Sequence, residues 1–418
     1  MTRRFLAAVA VAALALSACG RDGDDGGAKR GEAVSGGTAS GDLSVWAMGT
    51  EGEKLSVLAD AFMKENPDAH VTVTPVPWDG AHNKLSAAIA GQQTPDVTML
   101  GTTWVGEFAK TGALDVVPPE LVDKDDFFPG AWETGVVDGT SFSVPWYVET
   151  RLLYVNSSVA EKAGISAAPK TWAELTRAVE DMRTKGGARW GIYLQPGQTG
   201  AWQTVMPFVW QNGGDIYDGQ KFTLDSPEVV QALDYYRSFY DSGLSTRDRL
   251  REGETEPKLL SGEIASFVSG PWHIGLLDEL GGKGKYELWP MPTGSGDFTS
   301  FIGGSNLAVF KGAKNRDAAW KFVSYLMRPR VQVKWYRTVA DLPSVQAAWD
   351  DEALAGDKRL ALFGEQLDKA KAPPSIPTWE QIAAGIDTEL EKVAKGTESA
   401  ADAAKAMQAQ ATSIGTGG

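Results

Sequence analysis

The stretch Gly139–Asn156, GTSFSVPWYVETRLLYVN, decides how this chain is organised. Val, Tyr, Trp, Thr and Phe dominate it, side chains that suit a pleated, half-buried surface. Pro145 cannot donate to a strand ladder, which argues against one uninterrupted central strand. Trp146 and Tyr147 precede an acid, Glu149, and a second apolar run, Leu152 to Val155, follows at once. The pattern predicts two short strands with a joint between them and a carboxylate at the joint. Such a joint is a candidate ligand site and a candidate hinge. The competing reading is a strand that passes through a core and carries one solvated glutamate.

Working outward, strands and helices alternate on both sides. Leu43–Met48 reads as a strand, and Thr50–Glu65 as a helix with Leu55, Leu58, Ala59 and Phe62 on one face. His70–Val76 is a second strand, Ala81–Ala90 a helix, Asp96–Leu100 a third strand, and Thr103–Lys110 a helix. Beyond the opening stretch, Thr171 and Glu174 form a capping box. Trp190–Leu194, Ile264–Val268 and Phe301–Phe310 read as strands. Helices are expected over Trp202–Gly213, from Ser226-Pro227 to Asp241, and over Asp317–Met327, Val331–Thr338, Glu380–Lys395 and Glu398–Ala411. This alternation predicts an α/β fold with a mainly parallel sheet covered on both faces. Ligands then sit beyond the carboxyl ends of the strands. Those ends are Gly49-Thr50-Glu51 and Gly101-Thr102-Thr103-Trp104.

The chain has 418 residues and is 43% hydrophobic, enough for two ordinary domains. A formal charge of −14 argues against a nucleic-acid partner, which would require a basic patch. Fifteen Trp and ten Tyr raise the prospect of a ligand that stacks on aromatic rings. Three scattered histidines (His70, His82, His273) and one cysteine predict no metal site. No phosphate-binding glycine loop or nucleophile elbow occurs. No cofactor and no catalytic residue is therefore expected.

The single cysteine carries the targeting information. Arg3 and Arg4, a twelve-residue apolar run from Phe5 to Leu16, and Leu16-Ser17-Ala18-Cys19 together make a secretory signal over residues 1–19. The run is too short to span a bilayer. LSAC resembles a bacterial lipobox, which makes Cys19 the expected site of lipid attachment. The alternative is an ordinary signal peptide with an incidental cysteine. Residues 20–41 contain eight glycines among small and charged residues and read as a flexible tether. A Gly-rich coil of that length reaches roughly 25 Å.

Eight segments occur in an order that carries a family resemblance: LADAFMKENPDAHVTV (58–73), AAIAGQQTPDVTMLGTTWVGEFAKTGALDVV (87–117), VPWYVETRLLYVN (144–156), PKTWAEL (169–175), WQNGGDIYD (210–218), LLSGEIASFVSGPW (259–272), GGSNLAVFKGAKNRDAAWKFVSYL (303–326) and SIPTWEQI (375–382). Together they resemble family 1 extracellular solute-binding proteins, the maltose-binding-protein-like sugar receptors of ABC importers. The resemblance implies a periplasmic-binding-protein-like fold, two α/β lobes joined by three crossings around a central cleft. Lobe one is expected over 43–148 plus 302–338, and lobe two over 149–301 plus 339–412. The crossings fall near Tyr147–Leu153, Thr299–Gly303 and Thr338–Pro343.

Sugars present hydroxyls in the ring plane and C–H groups on their faces, so carboxylates, amides and Trp rings suit them. On that basis Glu149 matches a sugar-binding carboxylate of the family, against a hinge ion pair with Arg151. Trp272 in SGPW matches a stacking tryptophan, against core packing. Trp379 lies near a further stacking position. Thr103 and Trp104 stand where maltose receptors carry polar or charged contacts, so the type of contact differs here. Thr50 and Glu51 end the first strand, and Gln198 and Trp202 fall in a loop that reaches the cleft in relatives. Gly303, Gly304 and Ser305 allow backbone to approach a ligand, or supply the dihedral freedom of a crossing. Trp78 and Trp146 are assigned to core or lobe surface. The expected function is a monomeric, lipid-anchored receptor on the outer face of the cytoplasmic membrane. It captures a di- to tetrasaccharide and delivers it to a permease. The rival readings are a receptor of the same fold for a non-sugar solute and a secreted glycoside hydrolase.

Overall fold

The computed structural model describes residues 31–251 and 253–417. The signal segment, the acylation of Cys19 and the first part of the tether lie outside the described residues. The chain enters strand β1 at Gly41–Met48, continues through β2 (Ala69–Val76) and β3 (Val97–Gly101), and then forms a small hairpin of β4 (Val136–Val137) and β5 (Thr140–Ser141). Next come β6 (Val144–Thr150) and β7 (Leu152–Asn156), followed by β8 (Ser266–Ser269), β9 (Tyr286–Trp289) and β10 (Ser300–Val309). The short strands β11 (Leu342–Pro343) and β12 (Ala370–Lys371) complete the set.

Two sheets organise these strands. The first runs β11-β6-β10-β3-β1-β2, and β12 pairs with the start of β10. Its β1 pairs in parallel with β2 from Gly41↔Ala69 to Met48↔Val76, and also with β3. β10 inserts antiparallel between β3 and β6. The second sheet, β8-β7-β9, is wholly antiparallel. The expected parallel arrangement therefore holds for the first three strands and for the short pairing of β12 with β10, but not for the rest. A strand that returns from the other sheet arrives without a crossover helix and has no reason to run parallel.

The opening stretch joins the two sheets. Pro145 lies within β6, in the first sheet, and β7 lies in the second, with Arg151 alone between them. A second crossing leads from β9 to β10, and a third leads from β11, on the edge of the first sheet, to the helix Trp379–Lys395, whose Trp379 and Leu390 lie in the second core. Each sheet has its own apolar core. Val45, Val97, Trp146, Leu307 and Trp320 belong to the first. Leu153, Val205, Tyr236, Trp379 and Leu390 belong to the second. A third cluster, including Val148, Leu152, Tyr154, Ile302, Leu342 and Phe363, spans the crossings and ties the sheets together.

Local signals hold where they rest on backbone chemistry. The Thr171 side chain accepts from the Glu174 N–H, and Glu174 accepts back from the Thr171 N–H, which starts the helix Trp172–Thr184. Ser226 caps the helix Pro227–Asp241. The helix expected over 50–65 is two helices, Gly49–Lys54 and Ser56–Glu65, joined at Leu55. Trp190–Leu194 contributes only isolated bridges, Trp190↔Ile264 and Tyr193↔Phe267. Among the described residues no helix is long and apolar enough to cross a membrane, and no group of acids and histidines is arranged to hold a metal ion.

Candidate ligand-binding site

Four segments expected at the site converge through strand pairing. Gly303 lies opposite Glu149, Gly304 opposite Val148 and Ser305 opposite Tyr147, while Ser305 also faces Gly101 on β3. Leu342, beside Asp341, pairs with Val148 on the other edge of β6. The carboxyl end of β1 leads into a helix whose Glu51 is buried. The crossings thus gather Glu51, Glu149 and Asp341 around the Tyr147 ring.

This floor is electrostatically loaded. Burial raises the Glu51 carboxyl, its own backbone N–H and the Tyr147 hydroxyl pull the other way, and Glu149 raises it further. Asp341 is pushed well above the usual carboxylate range by burial and by the charges of Glu51 and Glu149, with Trp335 Nε1 at 3.0 Å in opposition. Tyr147 is raised well above its ordinary value by burial and by Asp341 and Glu51, and Ser305 Oγ donates to its hydroxyl at 3.1 Å.

A raised acid binds its proton more tightly in the native than in the unfolded state, so its share of stability is lost as pH rises. The loss begins near the ordinary carboxylate pKa of about 3.9 and continues up to the raised native value. Asp341→Asn, a neutral isostere, is expected to be more stable than the wild type at pH 7–8 and to flatten the decline in Tm between pH 4 and 8. Parallel pH profiles of the wild type and the variant would refute the assignment.

Arg151, at the joint itself, organises the other side of the floor. It is 6% exposed. Its Nη2 lies 3.2 Å from Glu149 Oε1 and donates to Gln203 Oε1 at 2.6 Å. Its guanidinium stands over the Trp272 ring at 4.8 Å and over the Phe301 ring at 5.1 Å. A cation–π contact of this kind contributes roughly 0.5–2 kcal/mol as desolvation increases. The hinge ion pair considered for Glu149 is therefore present, and Glu149 remains about a quarter exposed, with accepting capacity to spare. Two buried donors beside this network, Arg151 Nη1 and Trp379 Nε1, have no hydrogen-bond partner among the described residues. Such donors are costly unless an acceptor reaches them.

Trp272 is 40% exposed and opens the helix Trp272–Glu279. Its ring folds over Gly270, where a Cβ would come within 1.9 Å of it. The Tyr154 hydroxyl fixes the Gly270 carbonyl at 2.5 Å. His273 holds the next turn, with Nδ1 2.9 Å from Ser269 Oγ and Nε2 3.1 Å from Glu256 Oε1. Burial and the charge of Arg151 pull its pKa down to about 4, so the imidazole is neutral at physiological pH.

The remaining candidates divide. Thr103 and Trp104 belong to a 3-10 turn, Thr102–Trp104, that packs against the helix Trp379–Lys395. Thr50 is exposed two residues after β1. Gln198 is exposed, has a positive φ of 64° and accepts from Arg249. It lines a hollow of about 410 Å³ with Trp202, Arg249, Glu380, Asp387 and Glu391. Trp202 departs from expectation as a loop residue at the cleft, and Trp379 as a stacking surface. They are 5% and 1% exposed and pack edge to face against each other at 5.1 Å. Both belong to the core around the second sheet, so Trp379 can offer a ligand only its free N–H. Trp146 is core, stacked on Trp335 at 4.9 Å. Tyr147, Gln203, Phe301 and Asp341 were absent from the sequence-derived set. Each is brought in by strand pairing or a helix start that no local pattern reveals.

An α/β scaffold with three crossings, a buried acid–arginine network and a ring exposed at the joint defines a ligand receptor. The chain belongs to the family of bacterial extracellular solute-binding proteins, whose pattern matches residues 23–333. It is therefore an exported binding protein and not an enzyme. It is 28% identical over 430 aligned positions to the diacetylchitobiose-binding protein DasA of Streptomyces coelicolor, covering 98% of each chain. The sugar-binding protein MalE of Xanthomonas citri superposes with a TM-score of 0.83 at 32% identity, over 90% of this chain and 97% of that one. The GacH receptor of Streptomyces glaucescens, solved unliganded and with acarbose, superposes at 0.77 and 27% identity, over 90% and 98%.

Proposed function

We propose that this chain is the substrate-binding component of an ABC sugar importer. It captures an oligosaccharide of two to four units at the crossings and delivers it to a membrane permease. The observation that carries this reading is the exposed Trp272 ring, backed by the Arg151 guanidinium and adjoining Glu149. That arrangement offers an apolar face beside paired donors and acceptors, the chemistry a pyranose ring presents in reverse. Relatives named for diacetylchitobiose and acarbose support a sugar ligand. Closure about the crossings stabilises the bound state only insofar as the sugar contacts both sides of the cleft better when closed. Acylation at Cys19 would hold the receptor at the outer face of the membrane, and it would act as a monomer. The residues between Cys19 and Gly31 would be its tether, because Ser35 N–H already donates to Asp317 and Ala39 is buried in the first core.

The test is a thermal-shift and intrinsic-fluorescence panel of mono-, di- and trisaccharides built from glucose, galactose and N-acetylglucosamine in α and β linkages. At least one di- or trisaccharide is expected to raise Tm and perturb tryptophan emission. A panel without any response would refute the sugar reading. Release of reducing sugar by the protein would move it to hydrolysis.

A further inference from the structure

We propose that Trp78 is a second sugar-stacking platform of the same site, so that the ligand spans at least two rings, one on Trp78 and one on Trp272. The proposal rests on the sugar-binding reading. Of the fifteen tryptophans, all within the described residues, only Trp78 and Trp272 are more than a third exposed, at 39% and 40%. The two are built alike. Trp272 folds over Gly270, and the Trp78 ring lies against Gly49, where a Cβ would come within 2.8 Å of it. Each ring stands at the first residue of a helix, Trp78–Ala90 or Trp272–Glu279.

Trp78 is held rigidly. Its ring meets Trp104 edge to face at 5.6 Å, and Trp104 is braced by His82 at 5.4 Å. His82 is in turn fixed to Glu107 at 2.9 Å. An exposed ring with this much support behind it is preorganised for contact, because little side-chain freedom remains to be lost on binding. It also belongs to the site by contact. Glu51 Oε2 lies 3.5 Å from the Cβ position of Gly49. Glu51 hydrogen-bonds with the Tyr147 hydroxyl and lies within reach of the Glu149 charge, and Glu149 is paired with Arg151 beneath Trp272. The two rings therefore flank one carboxylate floor, one supplied from the end of β1 and β2 and the other from the end of β8.

The test measures affinity for the panel sugar that most stabilises the wild type, in Trp78→Ala, Trp78→Phe and Trp272→Phe. Trp78→Ala is expected to raise Kd by roughly tenfold or more, and Trp78→Phe to retain most of the affinity. In Trp272→Phe, where Trp78 is the one well-exposed tryptophan left, the sugar is expected to reduce iodide quenching. This readout does not depend on how Trp78→Ala folds. A Kd within twofold of wild type in Trp78→Ala, or quenching in Trp272→Phe that the sugar leaves unchanged, overturns the role of Trp78 while the sugar reading stands. A wild type that answers to no panel sugar overturns both.

Discussion

Trp272→Ala is expected to raise the Kd for the preferred sugar by roughly ten- to 150-fold, which corresponds to about 1.5–3 kcal/mol of lost apolar contact. The ligand-free Tm should hardly move. The ring is 40% exposed and contributes little to any core, and its removal leaves Arg151 still paired with Glu149 and Gln203. Gly270→Ala should weaken binding for a different reason. The added methyl occupies the space of the ring itself, so Trp272 must swing away from Arg151 while every ligand-facing side chain is retained. Isothermal titration of both variants, with circular dichroism to confirm folding, checks the pair. Wild-type affinity in Trp272→Ala would remove the ring from the site.

Gly304→Ala is expected to destabilise the native state by about 3–5 kcal/mol, the range of combined backbone strain and steric overlap. Gly304 has φ +124°, a conformation that L side chains rarely adopt, and a Cβ there would stand 2.2 Å from the Tyr147 carbonyl oxygen. Neither conflict can relax easily. β10 is clamped between β3 and β6, and its register with β6 already shifts at Ser305/Asn306. For a chain of this size unfolding as one unit, that loss lowers Tm by roughly 4–6 °C. Gly303→Ala should be milder: its Cβ meets the Phe301 ring at 2.6 Å and Glu149 Oε1 at 3.0 Å, side chains that can shift. Differential scanning calorimetry separates the two, and a Gly304→Ala Tm within a degree of wild type would refute the strain assigned to this crossing. Of the two roles considered for these glycines, dihedral freedom applies to Gly304.

The parts of the molecule legible in the sequence are those governed by local physics. Helix faces at i, i+3 and i+4 and the Thr171–Glu174 capping box mark elements where they stand. The two-strand reading holds for β6 and β7, but the joint is at Arg151 and not at Pro145, which lies inside β6 opposite Asn306 where the register with β10 shifts. Errors appeared where partners lie far apart in the chain. The second sheet is antiparallel because β7 pairs with β8 and β9, more than a hundred residues downstream. Trp379 was assigned a stacking role and Trp202 a place in a loop at the cleft, yet both fill the core beside Phe301. Trp78, assigned to core or lobe surface, stands exposed on Gly49. Large apolar rings look alike in sequence whether they are core or platform, and exposure is decided by what packs around them.

The sequence by itself determined the α/β character of this protein, the joint at Glu149–Arg151, its acidic and metal-poor composition, and the ordered segments that mark it as a solute-binding protein. Only the tertiary structure decided which rings face outward, that Arg151 is shared among Glu149, Gln203 and Trp272, and that Glu51, Glu149 and Asp341 meet around Tyr147. The physical reason is that helix periodicity and turn chemistry act over a few residues. A site assembled at three crossings depends on strand register between segments up to two hundred residues apart, as where Leu342 lies beside Val148.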